Sequence, residues 1–397
     1  MKKHVLFVDD EPAILNGLRR TFRVLRDEWD MSFAGSGSEA LEQLEICPFD
    51  AVVSDMKMPE MDGAELLSRV KEKCPQAVRI VLSGQSDAES ILRSVGSAHQ
   101  YVAKPCEPDR LKAVISRTLS LRGILEDDTL RALVGGLETL PSLPALYGEV
   151  VRAMQAPYAS LKDVGRVIAK DIGLSAKVLQ MVNSAFFGLQ RRLSSMEEAV
   201  VFLGLQTITS LVISLETFSR FKLEPSARLD ADVLWRHSLQ TGLLAREIAV
   251  VEGLQKNETD EAYLAGLLHD AGKLILAHNM PERFGAVQTL SRQRGISAAQ
   301  MERSELGASH GGVGAYLLGL WGLSDAILEA VALHSFPSEA HGDQFGLLAA
   351  VHAACAIQQS LTGETGGEVP LEGLDREFLE RLGLSGREVV WRRQCAG

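Results

Sequence analysis

The sequence predicts an α/β domain followed by an all-α domain. Three observations carry this. The first hundred or so residues alternate short apolar runs with amphipathic stretches, the pattern of a parallel sheet covered by helices. From about Pro108 onward, Leu, Val and Ile recur at three- and four-residue spacings with no β alternation. The length of 397 residues, at roughly 100 to 200 residues per domain, makes two or three compact units.

Five strands are expected at Val5 to Val8, Met31 to Ala34, Ala51 to Val53, Arg79 to Leu82 and Tyr101 to Ala103. Helices between and after them start near Pro12, Ser38, Gly63, Ala88 and Pro108, where proline or a capping Ser or Asp stands at several of the starts. The result is a (βα)5 doubly wound parallel sheet over residues 1–122. Leu111, Val114, Ile115 and Leu119 form an apolar stripe expected to cover that sheet, and Gly123 argues against a long rigid coiled coil beyond it. Glu126, Asp127 and Asp128 followed by Gly135, Gly136, Pro141 and Pro144 read as a solvated, helix-breaking stretch, so the linker is placed at 123–136. An all-helical domain is expected at 137–358, with a tail of one or two helices at 359–397.

Composition narrows the class of function. Hydrophobic residues at 46% and charged residues at 23% supply folded cores and argue against wholesale disorder. A net charge of -11 argues against general affinity for nucleic acid or anionic membrane, and no basic recognition helix follows the sheet domain. Cys47, Cys74, Cys106, Cys355 and Cys395 are an odd set with no CxxC, pointing to a reducing compartment. The apolar run at Val5 to Val8 is too short for a secretory core, and polar residues interrupt the apolar stretches 199–215 and 306–324, so a cytoplasmic location is expected.

In an open parallel sheet, sites form at the carboxyl ends of strands. Asp9 and Asp10 follow the first strand, Asp55 the third, Ser83 the fourth, and Lys104 with Pro105 the fifth. Three crowded carboxylates repel one another unless a cation sits among them, and hard oxygen donors select Mg2+. Beside that ion, Lys104 and Ser83 can hold the oxygens of a phosphoryl group in transfer to a carboxylate, with Asp55 as the nucleophile. The bland alternative is that these carboxylates merely cap helices.

With the stretch DMKMPEMDG at Asp55 to Gly63, these residues make positions 1–122 resemble the receiver domain of two-component response regulators. The resemblance implies that Asp55 accepts phosphate from a histidine kinase or phosphotransfer protein. It implies Mg2+ held by Asp10 and Asp55, with Asp9 assisting and the Lys57 carbonyl completing the protein ligands. It also implies a switch pair, Ser83 and Tyr101, and a receiver-mediated homodimer.

Seven of the nine histidines lie after residue 230, and His237, His269, His310, His334 and His352 sit in apolar helical surroundings. Asp270 inside LLHDAGKL is expected to be buried, and a buried charge needs a partner. Imidazoles and a carboxylate could bind Zn2+, Mn2+ or Fe2+, and a metal-bound water could attack a phosphate ester. Alternatively the same residues form a satisfied polar network that fixes helix positions.

LPSLPALYGEVVRAM from Leu140, DIGLSAKVLQMVNSAFFG from Asp171, SMEEAVVFLGLQTI from Ser195 and YLAGLLHDAGKL from Tyr263 make this region resemble the HDOD domain, related to the HD phosphohydrolases. That relation implies ligands at His237, His269 and Asp270. In the slot of the last aspartate the sequence reads LLAAVHAAC, which puts His352 there. His334 is followed by Ser335, and no GYP signature occurs, which counts against a dinuclear phosphodiesterase centre.

The function expected is a phosphorelay response regulator whose HDOD domain acts on an unidentified protein target rather than on DNA. The alternative is a phospho-regulated, metal-dependent phosphohydrolase acting on a cyclic dinucleotide or nucleotide.

Overall fold

The computed structural model describes residues 2–84, 97–121, 125, 127–137, 160–170, 172–183, 193–202, 204, 223–362 and 373–395. The chain divides into two compact units, one spanning Met1–Thr139 and the other holding most of the later helices.

The first unit is a five-stranded parallel sheet of β1 (Lys3–Val8), β2 (Trp29–Ala34), β3 (Ala51–Asp55), β4 (Val78–Gly84) and β5 (Gln100–Lys104), in the order β2-β1-β3-β4-β5. The strand order, not the strand direction, reverses between β1 and β3, and this opens the crevice at the carboxyl ends of those two strands. β3 is buried along its whole length, which explains its unbroken apolar run. Helices α1 (Pro12–Thr21), α2 (Gly37–Ile46), α3 (Gly63–Lys73) and α4 (Pro108–Ser120) follow the strands. Each starts as expected: Pro12 and Pro108 sit in the first turn, and the Ser36 and Asp62 side chains cap α2 and α3. Leu111, Ile115 and Leu119 of the α4 stripe are buried. The helix expected near Ala88 lies outside the described residues.

The expected linker proves partly ordered. Asp128–Gly135 form helix α5, whose N-cap Asp127 accepts a hydrogen bond from the Leu130 N–H, and Leu125, Leu130 and Val134 are buried. The acidic run that reads as solvated is thus a helix start, and the glycines that read as breakers are its end. Arg79 of β4 reaches this helix, its buried guanidinium donating to the carbonyls of Ser97 (2.6 Å) and Gly135 (2.7 Å). The backbone N–H of Arg79 donates to His99 Nδ1, which leaves the ring proton on Nε2 to donate to the same Gly135 carbonyl at 2.9 Å.

The second unit is helical. Its described helices are α6 (Leu161–Ile168), α7 (Ile172–Val182), α8 (Ala231–Val251), α9 (Lys256–Leu268), α10 (Ala271–Asn279), α11 (Pro281–Arg294), α12 (Ala298–Leu306), α13 (His310–Leu320), α14 (Asp325–Leu333), α15 (Leu347–Thr362), α16 (Arg376–Arg381) and α17 (Glu388–Cys395). α8 packs on α9 and α15, and α15 also packs on α14, so three of the long helices share one apolar core. The C-terminal helices belong to that unit. Trp391 is buried and donates its indole N–H to Glu252 at 2.7 Å, the same carboxylate that accepts from Arg387. No helix among the described residues is long and apolar enough to cross a membrane.

Candidate functional sites

The first site lies where the sheet topology predicts. Asp9 follows β1, Asp55 ends β3, Ser83 lies near the end of β4 and Lys104 ends β5. The Lys104 ammonium sits between two carboxylates, 2.8 Å from Asp9 Oδ2 and paired with Asp55 Oδ1. Asp55 Oδ2 accepts from the Lys57 N–H at 3.0 Å, and Asp9 Oδ1 from the Glu11 N–H at 2.9 Å. Asp9 and Asp55 are nearly buried while Asp10 is exposed at the mouth. Burial raises the Asp55 carboxyl above its ordinary value, with Asp9 adding repulsion, and Lys104 and the Lys57 N–H oppose this without cancelling it. Burial also disfavours the Lys104 ammonium, but its hydrogen bonds to Asp55 and Asp9 leave its pKa raised.

The loop after β3 folds back on the Asp55 backbone. Gly63 donates to the Met56 carbonyl at 2.9 Å, and a Cβ there would lie 2.1 Å from the Asp55 carbonyl oxygen, so only glycine fits at the start of α3. Ser83 is buried. Tyr101 pairs with Val81 in the sheet, and its side chain lies outside the described residues. Two carboxylates, Asp9 and Asp55, face one lysine, with Asp10 next in the chain, and a hard divalent cation fits carboxylate donors of this kind.

The second site gathers histidines from different helices around Asp270, which stands between α9 and α10. His237 comes from α8, His269 ends α9, His310 starts α13 and His334 ends α14. Gly272 sets α10 against α13, since a Cβ there would lie 1.9 Å from the His310 carbonyl oxygen. Every imidazole is held from behind at Nδ1. His269 donates to the Gly266 carbonyl (2.6 Å) and His334 to the Val331 carbonyl (2.9 Å). His310 binds the Glu302 carboxylate (2.6 Å), and His237 the Gln358 carboxamide oxygen. The Gln358 amide donates in turn to Gln240, which fixes which of its atoms faces His237. These partners place the ring protons on Nδ1 and turn every Nε2 inward, the arrangement that orients metal-ligating histidines.

The four rings form two pairs, each with Nε2 atoms 3.2 Å apart, His237 with His269 and His310 with His334. The pairs differ. Burial disfavours the His310 cation, but Glu302 and Asp270 outweigh it and raise His310 to about 8, so this ring carries a second proton to share with His334. Burial pushes His269 down to about 4, and the amide of Gln358 already takes the Nδ1 proton of His237. The two Nε2 atoms of that pair face one small space. Asp270 Oδ2 lies 3.5 Å from His269 Nε2 and 3.6 Å from His237 Nε2, and accepts from Lys273 at 2.7 Å. Asp270 Oδ1, 3.3 Å from His310 Nε2, makes no satisfactory hydrogen bond although it is buried. Burial opposes ionisation of Asp270, yet His269 and Lys273 hold its carboxyl well below the usual range.

His352 is not brought into this cluster. Its Nδ1 donates to the His334 carbonyl at 2.8 Å and its Nε2 accepts from the Asp375 N–H at 2.8 Å, so both ring nitrogens are occupied elsewhere. The side chain that α15 presents to the cluster is Cys355, with Sγ 3.8 Å from Nε2 of both His237 and His269. Burial, with Asp270 adding to it, pushes the Cys355 thiol up to about 12.

Comparison with known proteins agrees with this division. A family model for the response regulator receiver domain matches residues 5–116, and one for the HDOD domain matches residues 140–337. The chain pairs a receiver domain with an HDOD domain. That combination fits a phosphorelay response regulator. Receiver domains generally bind Mg2+, and HD-type domains bind divalent metals.

An uncharacterized protein of Treponema pallidum is 26% identical over 293 residues, which is 73% of this chain and 55% of the relative. The hydrogenase transcriptional regulatory protein HoxA of Cupriavidus necator is 37% identical over 125 residues, 31% of this chain and 25% of HoxA. The chain thus spans about half and a quarter of the lengths of these two relatives. Among solved structures, the MmoQ response regulator of Methylococcus capsulatus is 21% identical with a TM-score of 0.49, covering 65% of this chain and 98% of that one.

Glu302, Lys273, Gln358 and Cys355 belong to the HDOD cluster and are missed by sequence reasoning. Lys273, four residues after His269 in LLHDAGKL, could have been found by helical spacing; Glu302 and Gln358 come from helices remote in sequence.

Proposed function

We propose that Asp55 accepts a phosphoryl group from the phosphohistidine of a kinase or phosphotransfer protein. The P–N bond of the donor breaks as a P–O bond to an Asp55 oxygen forms. Asp9, Asp10, Asp55 and the Lys57 carbonyl would hold Mg2+, which supplies charge neutralisation for the incoming phosphoryl oxygens. Lys104 holds its ammonium beside the nucleophile, and Ser83 with Tyr101 forms the switch that responds to the new charge. The observation that carries this reading is the Lys104 ammonium seated between Asp9 and Asp55 at the crevice. Phosphorylation then alters the HDOD domain, which regulates a protein target in the cytoplasm. The test is labelling of the full chain with acetyl phosphate. Label should require Mg2+ and vanish in Asp55→Ala, and label persisting in that variant overturns the assignment.

A second reading concerns the HDOD domain and is favoured by the inward-facing Nε2 atoms of His237 and His269 beside a buried Asp270. In it, these three residues hold one divalent metal, and the proton-sharing pair His310 and His334 lies on the far carboxylate oxygen. Elemental mass spectrometry of the full chain, purified without chelator or histidine tag, tests it: near-stoichiometric metal should be lost in His269→Ala. A wild-type chain that is folded and metal-free removes this reading. Hydrolysis of a cyclic dinucleotide or nucleotide would further require activity lost in both His269→Ala and Asp270→Ala.

A further inference from the structure

We propose that the free edge of the receiver sheet docks an extended acidic segment of a partner protein, which adds to β2 as a further strand. This surface is separate from the Asp55 crevice, since β1 stands between β2 and β3.

The first observation is the edge itself. β2 pairs with β1 alone, and at its two ends the Lys3 N–H donates to the Glu28 carbonyl and the Asp9 N–H to the Ala34 carbonyl. Backbone groups alternate sides along a strand, so the even-numbered residues of β2 bond to β1 while Trp29, Met31 and Phe33 turn their N–H and C=O groups outward. The Phe33 carbonyl agrees with that direction, because it accepts from the Gln43 side chain at 3.0 Å. Met31, in the middle of the row, meets no backbone partner among the described residues. Such a row is a template for another strand.

The second observation is the charge beside that edge. A groove of about 530 Å³ is lined by Arg19, Arg23, Arg26, Met31 and Phe33 among others. All three arginines are exposed, and none meets a carboxylate among the described residues. Arg19 lies over the Phe33 ring, 4.5 Å from its centroid, and donates to the Asn16 side chain. The one acid among the lining residues, Asp30, is held by His4 Nε2 at 2.7 Å. In a chain of net charge -11, an unpaired row of guanidinium groups is complementary to an acidic partner.

The third observation is spacing. α1 runs on into a 3-10 turn at Phe22–Leu25. Rises of about 1.5 Å per α-helical residue and about 2.0 Å per 3-10 residue set Arg19, Arg23 and Arg26 about 6–7 Å apart along the axis. Side chains on one face of a strand recur at nearly the same interval, about 6.6–6.8 Å. An added strand with acids at alternate positions can therefore bring one carboxylate to each guanidinium. Backbone pairing supplies affinity and the arginine row supplies the choice of partner. A nucleic-acid strand fits less well, since it offers no N–H and C=O row to pair with Met31.

The experiment is fluorescence anisotropy of the full chain with a fluorescein-labelled peptide, Gly-Glu-Val-Glu-Val-Glu-Gly. It should bind at least about 10-fold more tightly than the same peptide with lysine in place of glutamate. Arg19→Glu, Arg23→Glu and Arg26→Glu combined, with unchanged far-ultraviolet circular dichroism, should weaken binding by at least about 10-fold. If that variant fails to fold, Arg23→Gln with Arg26→Gln carries the same test. Of two peptides N-methylated at alternate residues, one should lose binding and the other keep it, because only one set of N–H groups can face β2. A folded wild type that does not prefer the acidic peptide, or a folded variant that binds it equally well, overturns the proposal. Equal binding of both methylated peptides overturns the added strand, and displacement of the peptide by a tighter-binding oligothymidylate overturns the choice of a protein partner.

Discussion

The two charged sites solve opposite problems. In the receiver domain, carboxylates crowd at the rim of a sheet, and a lysine that is about a quarter exposed balances them. Asp55 is held there under repulsion from Asp9. In the HDOD domain, the buried carboxylates of Asp270 and Glu302 lie among imidazoles in the interior of a helix bundle. Charge there is sequestered. The receiver site is arranged for access, and the HDOD site for closure.

The sharpest test of this contrast is to remove the central aspartate from each. Asp270→Ala leaves the Lys273 ammonium beside an apolar core without its carboxylate. Breaking a fully buried pair costs about 3–5 kcal/mol. Lys273 is 23% exposed, so a loss of about 2–3 kcal/mol is expected by denaturant unfolding. Asp55→Ala should behave otherwise. The raised pKa means that ionised Asp55 is destabilising: its stabilising influence exists below its unfolded pKa and is lost as pH rises through the folded value. Its removal should change stability at neutral pH by less than about 1 kcal/mol and in the favourable direction. An equal loss from both variants would erase the distinction.

Divalent ions should separate the domains next. Zn2+ at about 100 times its Kd should stabilise the HDOD domain by about 2.7 kcal/mol, an increment absent in His269→Ala and not reproduced by Mg2+. Mg2+ should act on the receiver domain and lose its effect in Asp55→Ala. Thermal unfolding of the full chain with each ion, before and after chelator, decides this.

A smaller effect is expected at Asp375, which lies just behind the HDOD cluster. Burial opposes its ionisation, but hydrogen bonds from Ser338 and from the Phe378 N–H hold its pKa below the ordinary value. It caps α16, and its own N–H binds His352. Asp375→Ala should cost about 1 kcal/mol at pH 7. That difference is present above the ordinary carboxylate pKa and fades as pH falls through the lowered one, which a pH series of unfolding curves would show.

Most of the sheet domain was legible because its site residues are fixed by strand ends: once the five apolar runs are found, Asp9, Asp55, Ser83 and Lys104 must come to one edge. The helical site was less legible. Its histidines could be named from their apolar settings, but which face of α15 turns inward depends on packing against α8 and α14. The motif LLAAVHAAC pointed to His352, while Cys355, three residues on and most of a helical turn away, was not singled out. Burial of α15 on both sides left no polar face to choose between them. The helix at Asp128–Gly135 escaped for another reason, since acids and glycines at the ends of a one-helix segment look like a solvated linker until the apolar residues between them are seen to be buried.

The bond from Arg79 to that helix has a practical consequence for dissecting the chain. A fragment that stops at Leu121 keeps the whole sheet but discards the Gly135 carbonyl, so Arg79 and His99 each lose one hydrogen bond. Each lost hydrogen bond costs about 0.5–1.5 kcal/mol. A piece of the N-terminal half that keeps both bonds therefore ends after Leu137.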